Sequence, residues 1–495
     1  MADEAKSAEA GAVETQELDF ASLLNKEFKP RTDTAKSAVE SAVKTLAQQA
    51  LANTGLISDD VLHSIESMVA EIDRKLSEQI NLIIHHEEYQ QLESAWRGLH
   101  HLVNNTETDE MLKIRVMNIS KKDLSKTLRK FKGAAWDQSP IFKKLYEEEF
   151  GQFGGEPYGC LVGDYHFNHS APDVELLGEM AKIAAAAHAP FITGADPSLM
   201  QFESWQELTN PRDLTKITGT PEYAAWNSLR KSEDSKYLGL AMPRFLGRAA
   251  YGANSNPVEE FAFEEDTGNA ESENFAWVNA AYGMATNINR SFKEFGWCSR
   301  IRGVESGGTV EGLPTHTFPT DDGGVDMKCP TEIGISDRRE AELAKGGLMP
   351  LIHRKNTDMA AFIGAQSLHK PAEYDDPDAS ANAALAARLP YLFSTCRFAH
   401  YLKCMVRDKV GSFKSRSDME RWLNEWILQY VDGSPETSSE SDKARKPLAN
   451  ASVEVSEVEG NPGYYASKFF LRPHYQLEGL SVSLRLVSKL PSEKT

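Results

Sequence analysis

The stretch Tyr465-Ala-Ser-Lys-Phe-Phe-Leu-Arg-Pro-His-Tyr-Gln476 is followed, through Glu478 and Gly479, by Leu480-Ser-Val-Ser-Leu-Arg-Leu-Val-Ser-Lys-Leu490. In the second run Val482, Leu484 and Leu486 alternate with Ser481, Ser483 and Arg485, the period of a strand with one covered face. Upstream, Val453 and Val455 alternate with Ser and Glu, and Gly460-Asn461-Pro462-Gly463 supplies a turn. This part of the chain reads as a β-hairpin, and its last run would present an open edge unless something covers it.

Charge separates two readings of that hairpin. Lys468, Arg472, His474, Arg485 and Lys489 make it basic, although the 495-residue chain has a formal charge of −19. The N-terminal arm is the opposite: through residue 19, Asp3, Glu4, Glu9, Glu14, Glu17 and Asp19 face the single Lys6, and the arm ends in the apolar patch Leu18, Phe20, Leu23, Leu24, Phe28. A disordered tail does not need such a patch, so part of this arm is expected to dock. An arm from a neighbouring copy could add as a strand, held by backbone hydrogen bonds and guided by opposite charge. The pattern equally suits a hairpin that only completes its own domain's sheet.

Between these ends the sequence is mixed. A first helix places Val39, Ala42, Val43, Leu46 and Ala50 on one face, and a second, after Ser58, lines up Val61, Leu62, Ile65, Met68, Val69, Ile72, Leu76, Ile80 and Ile83. These stripes fit either the chain's own core or a partner helix. Tyr89, Leu92, Trp96, Leu99 and Leu102 mark another helix, Leu112, Ile114 and Val116 alternate as a strand, and Ser120 with Asp123 forms a capping box. Strand and helix then alternate through Tyr158–Asp164, Val174–His188, Pro190–Ile192, Leu238–Ala241, Phe275–Phe295 and Cys298–Arg302. The expected fold is α+β or mixed α/β: N-terminal helices, a multi-domain body and a C-terminal hairpin. The expected divisions are residues 1–30, 31–105, 106–375 and 376–495. Residues 255–274 read as a solvated acidic loop and 433–447 as a polar linker.

Composition excludes several functions. Acidity argues against nucleic acid or anionic lipid as the main partner, since both need a basic surface. No apolar run reaches membrane-spanning length, and the acidic N-terminus lacks the layout of a secretion signal, so a cytoplasmic protein is expected. Five dispersed cysteines without a CxxC pair suit reduced, buried thiols. There is no P-loop, GxGxxG, GxSxG or HExxH. Asp164, His166, His169 and Asp173 come nearest to a metal set, but the i, i+3 histidines follow a strand end and share no assured face. No cofactor, metal or catalytic residue is expected. With 73 acidic residues, carboxylate pairs are unavoidable, and a hydrolase reading has no specific support.

The run Phe469-Phe470-Leu471-Arg472-Pro473-His474 with Gln476-Leu477-Glu478-Gly479 and Ser483–Val487 resembles the end of the large contractile-sheath subunit of bacterial type VI secretion, the TssC/VipB family. Glu93–Leu99, Pro157–Gly159 with Gly163–Tyr165, Pro243–Arg248, Ile301–Gly303, Lys328–Glu332, Leu389–Phe393 and Arg397–Tyr401 agree in order. The resemblance covers roughly residues 15–495 and implies a non-enzymatic structural protein. Its implied partners are a small TssB/VipA-like sheath subunit, other copies of itself, an Hcp inner tube, a baseplate and, through the small subunit, the ATPase ClpV. It implies an exchanged arm at Leu18, Phe20, Leu23, Leu24 and Phe28, and small-subunit packing at Val39, Val43, Leu46 and Ala50. It also implies a hairpin interface at Phe469, Leu471, Arg472, His474, Leu484, Arg485 and Leu486. A sheath protein of another contractile injection system, a cytoplasmic adaptor and a hydrolase are the competing readings.

Overall fold

The computed structural model describes residues 61–210, 213–253, 255–268, 274–319, 323–412, 415–458 and 465–476, together with Ser41. Leu18, Phe20, Leu23, Leu24, Phe28, Val39, Val43, Leu46 and Ala50 lie outside the described residues, as do Leu484, Arg485 and Leu486. The chain divides into two compact units, residues 1–89 with 251–266, and residues 90–250 with 267–495.

In the first unit, helix α1 (Val61–Ile84) forms where expected. Ile84 is buried and Ile72, Leu76 and Ile80 are half-buried, whereas Val69 and Ile83 stay exposed. The acidic stretch is not simply a solvated loop. Asn81 accepts from the Asp266 amide at 2.9 Å and donates to the Glu264 carbonyl at 3.1 Å. Glu265, its side chain fully buried, accepts from the Tyr251 amide at 2.8 Å. Carboxylates here satisfy backbone donors, which composition alone does not reveal.

The second unit is built on a six-stranded sheet. Its strands are β1 (Leu161–Phe167), β2 (Phe191–Ala195), β3 (Leu238–Met242), β6 (Thr309–Val310), β9 (Leu348–His353) and β10 (Ala360–Phe362), in the order β1-β2-β3-β9-β10-β6. The first four in that order are parallel; β10 and β6 join antiparallel. Two small antiparallel pairs stand apart, β4 (Phe245–Leu246) with β5 (Trp277–Val278) and β7 (Thr317–Pro319) with β8 (Val325–Met327).

Alternate strand residues serve two cores. Phe191, Leu240 and Leu348 meet helices α4 (Ala171–Ala187), α5 (Ala224–Lys231) and α7 (Asp337–Lys345) through Leu177, Met180, Trp226 and Leu343. Ile192, Ala241 and Met349 meet α6 (Ala280–Phe295) and the first half of α9 (Leu389–Lys409) through Met284, Ile288, Leu392 and Phe393. Helices on both faces explain why β2 and β3 are buried throughout rather than alternating.

Helix α2 (Glu87–Asn104) gives its residues 90–104 to this unit. A Cβ on Gly98 would fall 2.3 Å from the Tyr282 ring, so a glycine is required where α2 meets α6. The expected stripe splits, however: Tyr89, Leu92 and Trp96 are exposed, Leu99 is half-buried, and Leu102 is buried beside Gly98. Helix α3 (Lys121–Lys130) starts where expected, with Ser120 accepting from the Asp123 amide, the Ser120 half of the expected capping box.

Two expected strands are absent among the described residues. Leu112–Val116 is assigned no strand, and 298–302 runs into a turn because Gly303 and Gly307 take positive φ. The second half of α9, α10 (Arg416–Leu428) and strands β11 (Leu448–Glu457) and β12 (Tyr465–Pro473) enclose a third core with Trp297. The 433–447 linker contains a short helix, α11 (Glu440–Arg445), capped by Ser439. Its Ser-x-x-Asp box was legible but hidden in the polar composition.

Candidate assembly surface

Helix α10 opens with a capping box in which Ser415 and Asp418 bond each other's backbone, and buries Leu423 and Ile427. That face lies on Ala451, Val453 and Val455 of β11. The same helix also seals the strand's outer edge. Asn424 donates to the Val453 carbonyl at 2.9 Å and accepts from the Val453 amide at 3.0 Å. Glu420 accepts from the Val455 amide at 3.4 Å. Further back, the Leu448 amide donates to Tyr430 and its carbonyl accepts from Asp432. This side of the two-stranded sheet is closed.

The other side is open among the described residues. Register pairs Ala451 with Leu471, Val453 with Phe469 and Val455 with Ser467. Val453 directs its amide and carbonyl at Asn424, so these are the pairs without mutual hydrogen bonds. Ser467, Phe469 and Leu471 therefore point their N–H and C=O groups away from β11, off the free edge. Phe469 and Leu471 half-bury their side chains on the third core, while Lys468, Phe470 and Arg472 occupy the solvent face. Lys468 lies opposite Glu454, and the Arg472 guanidinium sits 5.3 Å from the centre of the Tyr475 ring.

His474 also bonds within its own chain. Its Nε2–H donates to the Lys446 carbonyl at 3.0 Å, and burial holds its imidazole below the ordinary range. Two residues on, Gln476 fixes where the chain leaves the sheet. Its amide donates to the Tyr391 hydroxyl at 3.0 Å, its side-chain amide donates to the Ser299 carbonyl at 2.7 Å, and Arg302 donates to its Oε1 at 2.8 Å.

Pattern alone did not give roles to the other motif residues. Glu93 accepts from Arg97 at 2.8 Å and from the buried Arg248 at 2.6 Å, and the two arginines hold its carboxyl below the usual range against the cost of burial. Arg244 binds Glu332 through side chain and backbone. Lys328 lies 4.6 Å from the Phe275 ring centre and 5.2 Å from that of Trp277. These are internal ties between distant segments; charged residues inside otherwise apolar motifs were the available signal. Asp164, His166, His169 and Asp173 do not converge as ligands. Asp173 takes Lys121 and the Asn168 amide, and His169 stacks on Tyr223.

An α/β body carrying a small sheet, with one edge sealed by its own helix and the other free, defines a subunit whose fold can be extended by strands from outside. The family model of the VipB tail sheath N-terminal domain matches residues 66–369, and that of the tail sheath gpW/gp25-like domain matches residues 378–490. The chain is 74% identical over 479 residues to the type VI secretion system sheath protein TssC1 of Pseudomonas aeruginosa, covering 97% of this chain and 96% of that protein. The chain belongs to this family of type VI sheath proteins. Among solved structures, a chain in the anti-feeding prophage baseplate aligns at TM-score 0.36 and 12% identity, covering 77% of this chain and 84% of that one. A chain of the contracted helical sheath of the same prophage aligns at TM-score 0.26 and 12% identity, covering 64% and 75%. No helix among the described residues is long and apolar enough to cross a membrane.

Proposed function

We propose that this chain is the large structural subunit of a type VI contractile sheath, polymerising in the cytoplasm with the small sheath subunit around an Hcp inner tube and driving its ejection on contraction. The observation that carries this reading is the contrast between the β11 edge, closed by Asn424 and Glu420, and the β12 edge, where Ser467, Phe469 and Leu471 offer their backbone groups. The acidic arm of a neighbouring copy, through Leu18, Phe20, Leu23, Leu24 and Phe28, adds as a strand at that edge. Basic Lys468 and Arg472 favour the arm's approach.

Strand linkages keep protomers joined while their bodies rotate and slide, so contraction is a passage between two lattice packings and needs no catalysis in this chain. The baseplate anchors one end, and ClpV acts through the small subunit. Co-expression with the small subunit, followed by negative-stain electron microscopy, tests the reading. The full chain is expected to give long tubes, and a chain lacking residues 1–28 a soluble complex without them; normal tubes from the truncation would refute the exchange.

A further inference from the structure

A second unpaired backbone lies in the larger unit, away from the hairpin. Among the described residues, no hydrogen bond is made by any backbone N–H or C=O of residues 113–118; the nearest bonds are those of Leu112 with Asp109 and of the Ile119 carbonyl with Tyr165. The segment nonetheless alternates as a strand does. Lys113 and Arg115 both reach Glu156, while Leu112, Ile114 and Val116 line an open groove of about 440 Å³ against Leu99 and Val103 of α2. Apolar side chains crowd this surface: Leu92 and Trp96 on α2 are 56% and 65% exposed, and Met111 and Val116 are each 68% exposed. Unbonded strand-like backbone beside an apolar helix face is what a protein leaves when the covering strand comes from elsewhere.

We infer that residues 113–118 form a second strand-addition site, occupied by an extended segment of a different polypeptide. Resting on the reading above, that polypeptide is the small sheath subunit. Self-pairing of this segment between two copies does not satisfy the site. Parallel in-register pairing sets Lys113 beside Lys113 and Arg115 beside Arg115, and antiparallel pairing makes a closed two-fold contact that cannot propagate a tube. The incoming strand alternates apolar residues toward Ile114 and Val116. Glu110 before the segment and Lys122 and Lys126 after it make no ion pair among the described residues. The occupant therefore carries a basic residue where it passes Glu110 and acidic ones where it passes Lys122 and Lys126.

The test places the photo-crosslinking amino acid p-benzoylphenylalanine at Met117 in the full chain, co-expressed with the small subunit, and identifies the crosslinked peptide by mass spectrometry. A crosslink to an apolar-alternating segment of the small subunit is expected. In parallel, Val116→Pro and Met117→Pro are made. Successive N–H groups point to opposite edges, and neither bond is used within the chain. One of the two is expected to lower co-purifying small subunit about tenfold, as losing one or two strand bonds implies. Crosslinks to residues 1–60 of the same chain, to a second copy or to nothing, in preparations that still form tubes, overturn this site alone. Failure of the small subunit to associate with the unmodified chain overturns the proposed function and this inference together.

Discussion

Asn424 of α10 holds both backbone groups of Val453, at 2.9 and 3.0 Å, and so decides which edge of the β11–β12 sheet is available. A helix side chain that mimics a neighbouring strand stops β11 from pairing further and leaves the only described free edge on β12.

Replacing Asn424 removes that mimic. In Asn424→Ala the Val453 amide and carbonyl lose their partner within a packed interface, at a cost of about 2 kcal/mol. The newly opened edge also invites unregistered pairing. Thermal unfolding is expected at lower temperature and sedimentation to show heterogeneous aggregates; an unchanged melting curve would mean that water replaces the side chain.

The parity of β12 gives a paired comparison. The Ser467 N–H faces off the open edge and the Lys468 N–H faces β11, so proline at the two positions has different consequences. Ser467→Pro is expected to change the stability of the unassembled complex by less than about 1 kcal/mol and yet abolish long tubes. Lys468→Pro breaks an internal ladder bond and is expected to cost about 1–3 kcal/mol, seen by chemical denaturation. Equal effects would show that the register is misread.

Gln476 fixes the exit of the chain. Gln476→Ala strips the bonds from Ser299 and Arg302 while keeping the backbone donation to Tyr391. The body should melt within a few degrees of the parent, since the lost bonds sit at its margin and are worth about 1 kcal/mol each. Tube yield should fall, because the segment after 476 loses its fixed starting point. Normal yield would make this anchor incidental.

Buried imidazoles set an acid limit. Burial pushes His101, His166 and His400 down to about 4 from an ordinary 6.5. The unfolded chain takes up these protons below about 6.5 and the folded chain only near 4. Stability is therefore lost as pH falls through that window, by up to about 1.4 kcal/mol per pH unit for each histidine. Melting temperature should drop steadily from pH 7 to pH 5. The drop should be shallower in His400→Gln, whose amide still reaches the Ala187 carbonyl that His400 Nε2 bonds at 2.8 Å.

Much of the architecture was legible in the sequence. The alternation around Val453 and Val455, the Ser120 cap and the apolar runs at β2 and β3 all carry local periodicity, which tertiary packing then used directly. Leu112–Val116 carries the same signal, but alternation says only that a strand is possible, and no strand among the described residues pairs with it. Residues 298–302 failed for a different reason: Gly303 and Gly307 turn the backbone before a strand can extend. In the assembly surface, the basic residues and aromatic positions of β12 were visible. The sealing of β11 was not, because the bond from Asn424 to Val453 joins residues 29 apart and leaves no periodic trace. The bond from His474 to the Lys446 carbonyl likewise joins residues 28 apart, which no composition encodes.

The central claim, that protomers are joined by strand addition at the free edge of β12, is tested most directly by amide hydrogen exchange at Ser467, Phe469 and Leu471. The account predicts that these three alternate amides exchange roughly tenfold or more slowly in assembled tubes than in the unassembled heterodimer, with Lys468 and Phe470 protected in both. Equal exchange at Ser467, Phe469 and Leu471 in the two states would contradict it.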